Sequence, residues 1–173
     1  IKTHKVINNY RSTPEIIDIA NLYIKNNTDQ IPKDMITNNK SILFKPEIKK
    51  YTDEVDQAEY IIDKILDYMQ LGVNLDEIAV ISRNNYPLKI IEEHLEKFNN
   101  NNPIKLPYVA LITEDNQDNK PKIIKDHITL TSIHKSKGLE WSVVFLISLN
   151  DDKFPSEVDK ISIQEERRLF YVA

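Results

Sequence analysis

Ile78-Ala79-Val80-Ile81-Ser82 is an apolar run without alternation, led in by Asp76-Glu77 and followed by Arg83-Asn84. A strand with one wet face alternates apolar and polar residues; an unbroken run is covered on both faces, as in a parallel sheet. Helical periods flank it. Ala58, Ile61, Ile62, Ile65, Leu66 and Met69 recur on one face of a helix from about Asp53 to Leu71, with Gly72 as its stop. A second helix spans about Pro87 to Phe98 and ends in the loop Asn99 to Pro103. Further out, Pro107 to Ile112, His127 to Ile133 and Ser142 to Ser148 read as strands, and a last helix starts near Ser162. Towards the amino terminus, Ser12-Thr13-Pro14-Glu15 has the form of a capping box opening a helix to about Asn27, and Ser41-Ile42-Leu43-Phe44 fits a short strand. Strands alternating with helices predict an α/β fold, a parallel sheet with helices on both faces. Thr113 to Asp126, polar and without an apolar period, is an exposed connector.

With 173 residues, 40% of them hydrophobic, the chain suits one core of ordinary size, so a single domain over 1–173 is expected. A net charge of −4 excludes binding of nucleic acid by bulk positive charge and confines any such contact to a local patch. The absence of cysteine excludes disulfides, thiolate metal sites and a cysteine nucleophile. The longest apolar stretch, Val143 to Ser148, is far short of the roughly 20 residues of a membrane span, and no signal-peptide pattern opens the chain. A soluble intracellular protein with no membrane partner is expected, in cytoplasm or nucleoid, with the nucleus or a virus-infected cell as the alternatives. Gly72 and Gly138 are the only glycines, which rules out a Walker A loop and a G-x-G-x-x-G turn.

Two segments carry chemistry. Tyr10 and Arg11, in Ile7-Asn8-Asn9-Tyr10-Arg11-Ser12-Thr13, sit between an expected first strand and a helix start. There a ring can stack on a base and a guanidinium can fork onto phosphate oxygens; a surface tyrosine beside a solvated arginine is the plainer alternative. Thr131, Ser132, His134, Lys135 and Lys137 gather hydroxyl, imidazole and ammonium groups before Gly138, a set suited to phosphate, or to a polar connection with two solvated lysines. Glu140, beside Trp141, can accept bonds from a ribose hydroxyl or face water. Asn150-Asp151-Asp152 imitates a Walker B end but has no Walker A partner, and His4, His94, His127 and His134 lack companions at metal-ligand spacing, so no metal site is assigned.

Together these segments resemble the second RecA-like motor domain, 2A, of UvrD/Rep-type superfamily 1 DNA helicases. Asn9 to Thr13 is similar to the family's motif IV, Thr131 to Trp141 to motif V, Glu165-Glu166-Arg167-Arg168-Leu169-Phe170-Tyr171-Val172-Ala173 to the opening of motif VI, and Ile78 to Asn84 to the strand-plus-Arg-Asn segment between. The resemblance implies a RecA-like sheet, a P-loop NTPase-like fold lacking its P-loop. It implies that Tyr10 stacks on the adenine of ATP, that Arg11 reaches the γ-phosphate as the catalytic residue of this half, and that Glu140 binds the ribose. It places Thr131, His134, Lys137, Arg83 and Asn84 along a track for single-stranded DNA. ATP is implied with Mg2+, whose ligands belong to the first RecA-like motor domain, the partner in the same polypeptide. That motif VI arginine which contacts phosphate falls beyond Ala173, and Arg167 and Arg168 are not given its role. Thr113 to Asp126 stands where many relatives insert a 2B subdomain, so no large 2B insertion is expected. The other function class is a catalytically silent RecA-like module that scaffolds a helicase-nuclease or repair assembly.

Overall fold

The computed structural model describes residues 4–42, 44–111, 122–150, 153–155 and 160–173. Its contacts group into two compact units, residues 1–50 with 157–171 and residues 51–156 with 172–173. No helix among the described residues is long and apolar enough to cross a membrane.

The larger unit is built on four parallel strands in the order β4-β5-β3-β6: β3 (Ile78–Ser82), β4 (Tyr108–Leu111), β5 (Ile128–Ser132) and β6 (Val143–Ile147). The unbroken apolar run is the inner strand β3, buried at every position. Its register with β5 and β6 puts Ile78 and Val80 on one face with Ile128, Leu130, Val143 and Phe145. On this face lie the helices α2 (Glu54–Gln70) and α3 (Asn85–Asn101), which pack on each other through Ala58, Ile61, Ile65, Leu88, Ile91 and Leu95. Deleting one of these buried side chains to Ala costs about 2–5 kcal/mol. On the opposite face Ala79, Ile81, Thr129 and Thr131 are buried too, as the lack of alternation predicts.

Helix α2 starts and stops where its residues dictate. Asp53 Oδ1 accepts from the amides of Val55 and Asp56, both at 2.9 Å, and caps the first turn. At the other end Gly72, at φ +89°, lets its own amide reach Met69 O and the Val73 amide reach Tyr68 O, both at 3.0 Å, the paired bonds of a Schellman ending. Helix α3 is longer than expected at both ends. Pro87 falls inside its first turn, where a missing N–H costs nothing. The asparagine run continues the helix because its end carbonyls find donors: Lys105 Nζ donates to Asn99 O and Asn102 O, and Asn102 Nδ2 donates to Phe98 O at 3.0 Å.

In the smaller unit a two-residue strand β1 (Asn8–Asn9) pairs in parallel with β2 (Ile36–Thr37), beside α1 (Pro14–Ile24); α4 spans Lys160–Val172. The expected strand at Ser41-Ile42-Leu43-Phe44 does not form at Ser41, Ile42 or Phe44, while Leu43 lies outside the described residues. Pairing with β1 falls earlier, because Asn21 grips the backbone there, donating from Nδ2 to Met35 O at 2.8 Å and accepting from Met35 N at 3.0 Å. Nor does a Ser12–Glu15 capping box form. The N-cap is Thr13, with no side-chain cap bond, and Glu15 instead accepts from the Ser41 hydroxyl. Of the connector, residues 113–121 lie outside the described set, and 122–126 are exposed. Asp151 and Asp152 are also outside it.

Candidate nucleotide and nucleic-acid sites

In the smaller unit, the turn Asn9–Ser12 leaves the carboxyl end of β1 and enters α1. Three side chains hold its backbone. Asn9 Oδ1 accepts from the amides of Arg11 at 2.9 Å and Ser12 at 2.8 Å, closing an Asx turn. Asn39 Nδ2 donates to Tyr10 O and to Ser12 O, both at 3.1 Å, and Thr37 Oγ1 donates to Ser12 O at 3.1 Å. With the backbone bonds satisfied internally, the side chains point outward: Tyr10 is 75% exposed and Arg11 is exposed. A fixed turn carrying an outward ring and an outward guanidinium suits a nucleotide, because little ordering entropy is left to spend on binding. Asn39 and Thr37 escape a reading of the sequence. They lie more than twenty residues from the turn they hold, in a stretch where asparagine reads as loop.

In the larger unit, Ser82 and Ser132 face each other at the carboxyl ends of β3 and β5. The ladder runs one bond further, from the Ile133 amide to Ser82 O at 3.0 Å. Arg83-Asn84 and the turn Ile133–Gly138 therefore leave the sheet side by side. Ser132 organises that turn: its carbonyl accepts from Ser136 N at 2.9 Å and its Oγ from Lys135 N at 3.4 Å, while Ser136 Oγ donates to Ile133 O at 2.8 Å. Gly138 ends it at φ +90°. His134, Lys137 and Asn84 are exposed, and Arg83 is half-buried. These four share one edge of the sheet, the carboxyl edge where open α/β sheets bind their ligands.

Thr131 stands apart from them. Its side chain is wholly buried in β5 and its hydroxyl donates to Ser132 O at 3.4 Å, which places it inside the sheet behind the exposed turn. Glu140 is exposed, on the segment that returns from this turn towards the start of β6. Two residues on, Ser142 Oγ donates to Glu77 Oε1 at 3.0 Å. Glu77 Oε2 accepts from Asn74 N at 3.1 Å and Asn74 Nδ2 at 3.0 Å. The Asn74 bond first, then that of Ser142, holds the Glu77 carboxyl below its ordinary range.

A sheet of four parallel strands with helices packed on it, and with basic and polar loops at its carboxyl edge, defines an α/β protein. The chain belongs to the family of UvrD-like helicase C-terminal domains, which matches it over residues 5–113 and 104–173. Among relatives, it is 30% identical over 161 residues to the ATP-dependent DNA helicase PcrA of Staphylococcus epidermidis strain RP62A, covering 92% of this chain and 21% of that protein. The PcrA of Staphylococcus aureus strain Mu50 is 30% identical over 154 residues, with 88% of this chain and 20% of that protein covered. A probable DNA helicase II homolog of Mycoplasma capricolum is 30% identical over 166 residues, with 84% and 23% covered. The chain thus spans about a fifth of the length of the curated relatives it matches.

Proposed function

We propose that this chain is the C-terminal motor domain of an ATP-dependent superfamily 1 DNA helicase, one RecA-like domain over 1–173 with its connector at 113–126. It contributes half of an ATP site and part of a track for single-stranded DNA. The observation that carries the reading is the Asn9–Ser12 turn, pinned by Asn39 and Thr37 with Tyr10 and Arg11 outward. Such a turn fits ATP: Tyr10 stacks on the base and Arg11 meets the γ-phosphate, while the ribose contact of Glu140, in the larger unit, rests on the family resemblance alone. Bound ATP supplies a transferable phosphoryl group, whose developing charge an arginine stabilises most in the transition state. Mg2+ is held by the first motor domain, which is the partner of this one. On the DNA side, Lys137 and Arg83 take phosphates, with His134 and Asn84 adding donors, while Thr131 supports the turn from within the sheet.

In a polypeptide carrying both motor domains, Arg11→Ala is expected to lower DNA-stimulated turnover by about 10² or more with little change in ATP affinity. Tyr10→Ala is expected to raise the apparent ATP constant through roughly 1 kcal/mol of lost stacking. Lys137→Ala is expected to reduce the salt slope of single-strand binding by about 1. Turnover that survives Arg11→Ala would refute the assignment and favour the silent scaffolding module.

A further inference from the structure

Arg167 and Arg168 have no part in the nucleotide or DNA reading, yet their contacts are specific. Arg167 Nη1 donates to Asn26 O at 3.2 Å and to Asn27 Oδ1 at 3.3 Å. Asn27, only 4% exposed, donates from Nδ2 to Gln164 O at 2.9 Å. Arg168 Nη2 donates to Asp29 O at 2.7 Å. Gln164 Oε1 accepts from Asp29 N at 3.1 Å, and its Nε2 donates to Thr28 Oγ1 at 3.3 Å. The rings of Tyr23 and Phe170 pack tilted at 49° with centroids 4.4 Å apart. Every one of these contacts joins α4 to the last turn of α1 or to the five residues after it.

Two physical points separate this set from ordinary surface pairing. Several of the acceptors are main-chain carbonyls, so the bonds fix the backbone itself and not a rotatable side chain. One of them, Asn26 O, lies two residues past the C-terminus of α1, where the dipole is negative and a guanidinium is favoured. Helix α1 is a rod of eleven residues, about 16 Å long. Its far end follows Arg11 by three residues, and Asn21, in its last turn, joins it to Met35 through two bonds. A shift of the latched end therefore reaches the turn that carries Tyr10 and Arg11.

We propose that Arg167, with Gln164 and Asn27, is a positioning residue: through α1 the latch sets where Arg11 stands against the phosphate. This rests on the reading of Arg11 given above. In the two-motor polypeptide, Arg167→Met is expected to lower turnover about 10- to 100-fold, the scale of a misplacement of order 1 Å, with the ATP constant nearly unchanged. Arg167→Lys, which can keep one of the two bonds, is expected to recover part of the loss. The deciding variant is Arg167→Met combined with Arg11→Ala. With no guanidinium left to place, the double variant is expected to be no slower than Arg11→Ala alone, a fully non-additive cycle. Gln164→Leu, a milder change at the same latch, serves if Arg167→Met does not fold, and its expected effect has the same direction. Multiplicative losses in the double variant, or an Arg167→Met protein that melts earlier but turns over normally below its transition, overturn the latch while Arg11 stands. Turnover untouched by Arg11→Ala overturns both readings.

Discussion

Thr129 is expected to be replaced by valine with a gain in stability. It lies in the middle of β5, paired with Ala79 on one side and Val109 on the other. It is 0% exposed, and its Oγ1 has no hydrogen-bond partner among the described residues. A buried hydroxyl without a partner costs about 1–3 kcal/mol of desolvation, whereas valine has nearly the same shape, no polar atom and an equal liking for strands. Allowing for imperfect fit of the new methyl, Thr129→Val should stabilise by about 1–2 kcal/mol, or raise the melting temperature by about 2–8 °C in a chain of this size. Thermal unfolding followed by circular dichroism, with urea unfolding to confirm an unchanged m value, measures it. Thr131→Val is the internal comparison: its hydroxyl does donate, over a long 3.4 Å, so the gain should be smaller. An unchanged or lower melting temperature for Thr129→Val, or a larger gain at position 131, would refute the reasoning.

Three further outcomes are expected. Gly138→Ala should cost about 1–2 kcal/mol, the price of φ +90° for an L-residue alone, because nothing lies within 4 Å of the added Cβ; a much larger loss in unfolding measurements would mean a clash. Asn39→Ala removes the donor to Tyr10 O and Ser12 O, so it should cost about 1–2 kcal/mol and speed amide exchange at Arg11 and Ser12, with exchange in the larger unit unaffected. The Glu77 carboxyl is lowered on folding, so the stability it adds is present above its ordinary 4.5 and lost as pH falls through the folded value. Wild-type protein and Glu77→Gln should therefore differ in urea unfolding at neutral pH and converge in acid. Convergence at high pH instead would reverse the sign.

The inner sheet was legible because its signal is local: an unbroken apolar run is covered on both faces wherever the rest of the chain goes, and β3 bears this out. The stop of α2 was legible for a similar reason, since Gly72 supplies a backbone angle few other residues adopt. What was not legible depends on distant partners. Ile36–Thr37 pairs as a strand, and Ser41 and Ile42 do not, because the Ile36 amide donates to Ile7 O and Asn21 donates to Met35 O, bonds that no spacing rule shows. The polar run Asn99 to Asn101 reads as a loop but stays helical because Lys105 turns back onto its carbonyls. Among the candidate nucleic-acid residues, motif position suggested Thr131 as a surface contact, whereas β5 is covered on both faces and buried at every position. The exposed set proved to begin at His134, one residue past the last ladder bond.

Among the described residues, the strand order leaves β4 at the margin of the sheet, bonded on one side by β5. Its chain departs from Leu111 at the same edge as the Arg83 and His134 loops, and the two stretches matched by the family overlap there, at 104–113. A marginal strand can be followed by a longer excursion without parting any inner pair, and lengthening a loop raises its closure cost only logarithmically. The β4–β5 junction is therefore the place where this architecture can grow. Material added there emerges beside the Arg83 and His134 loops, while the sheet beneath goes on folding as before.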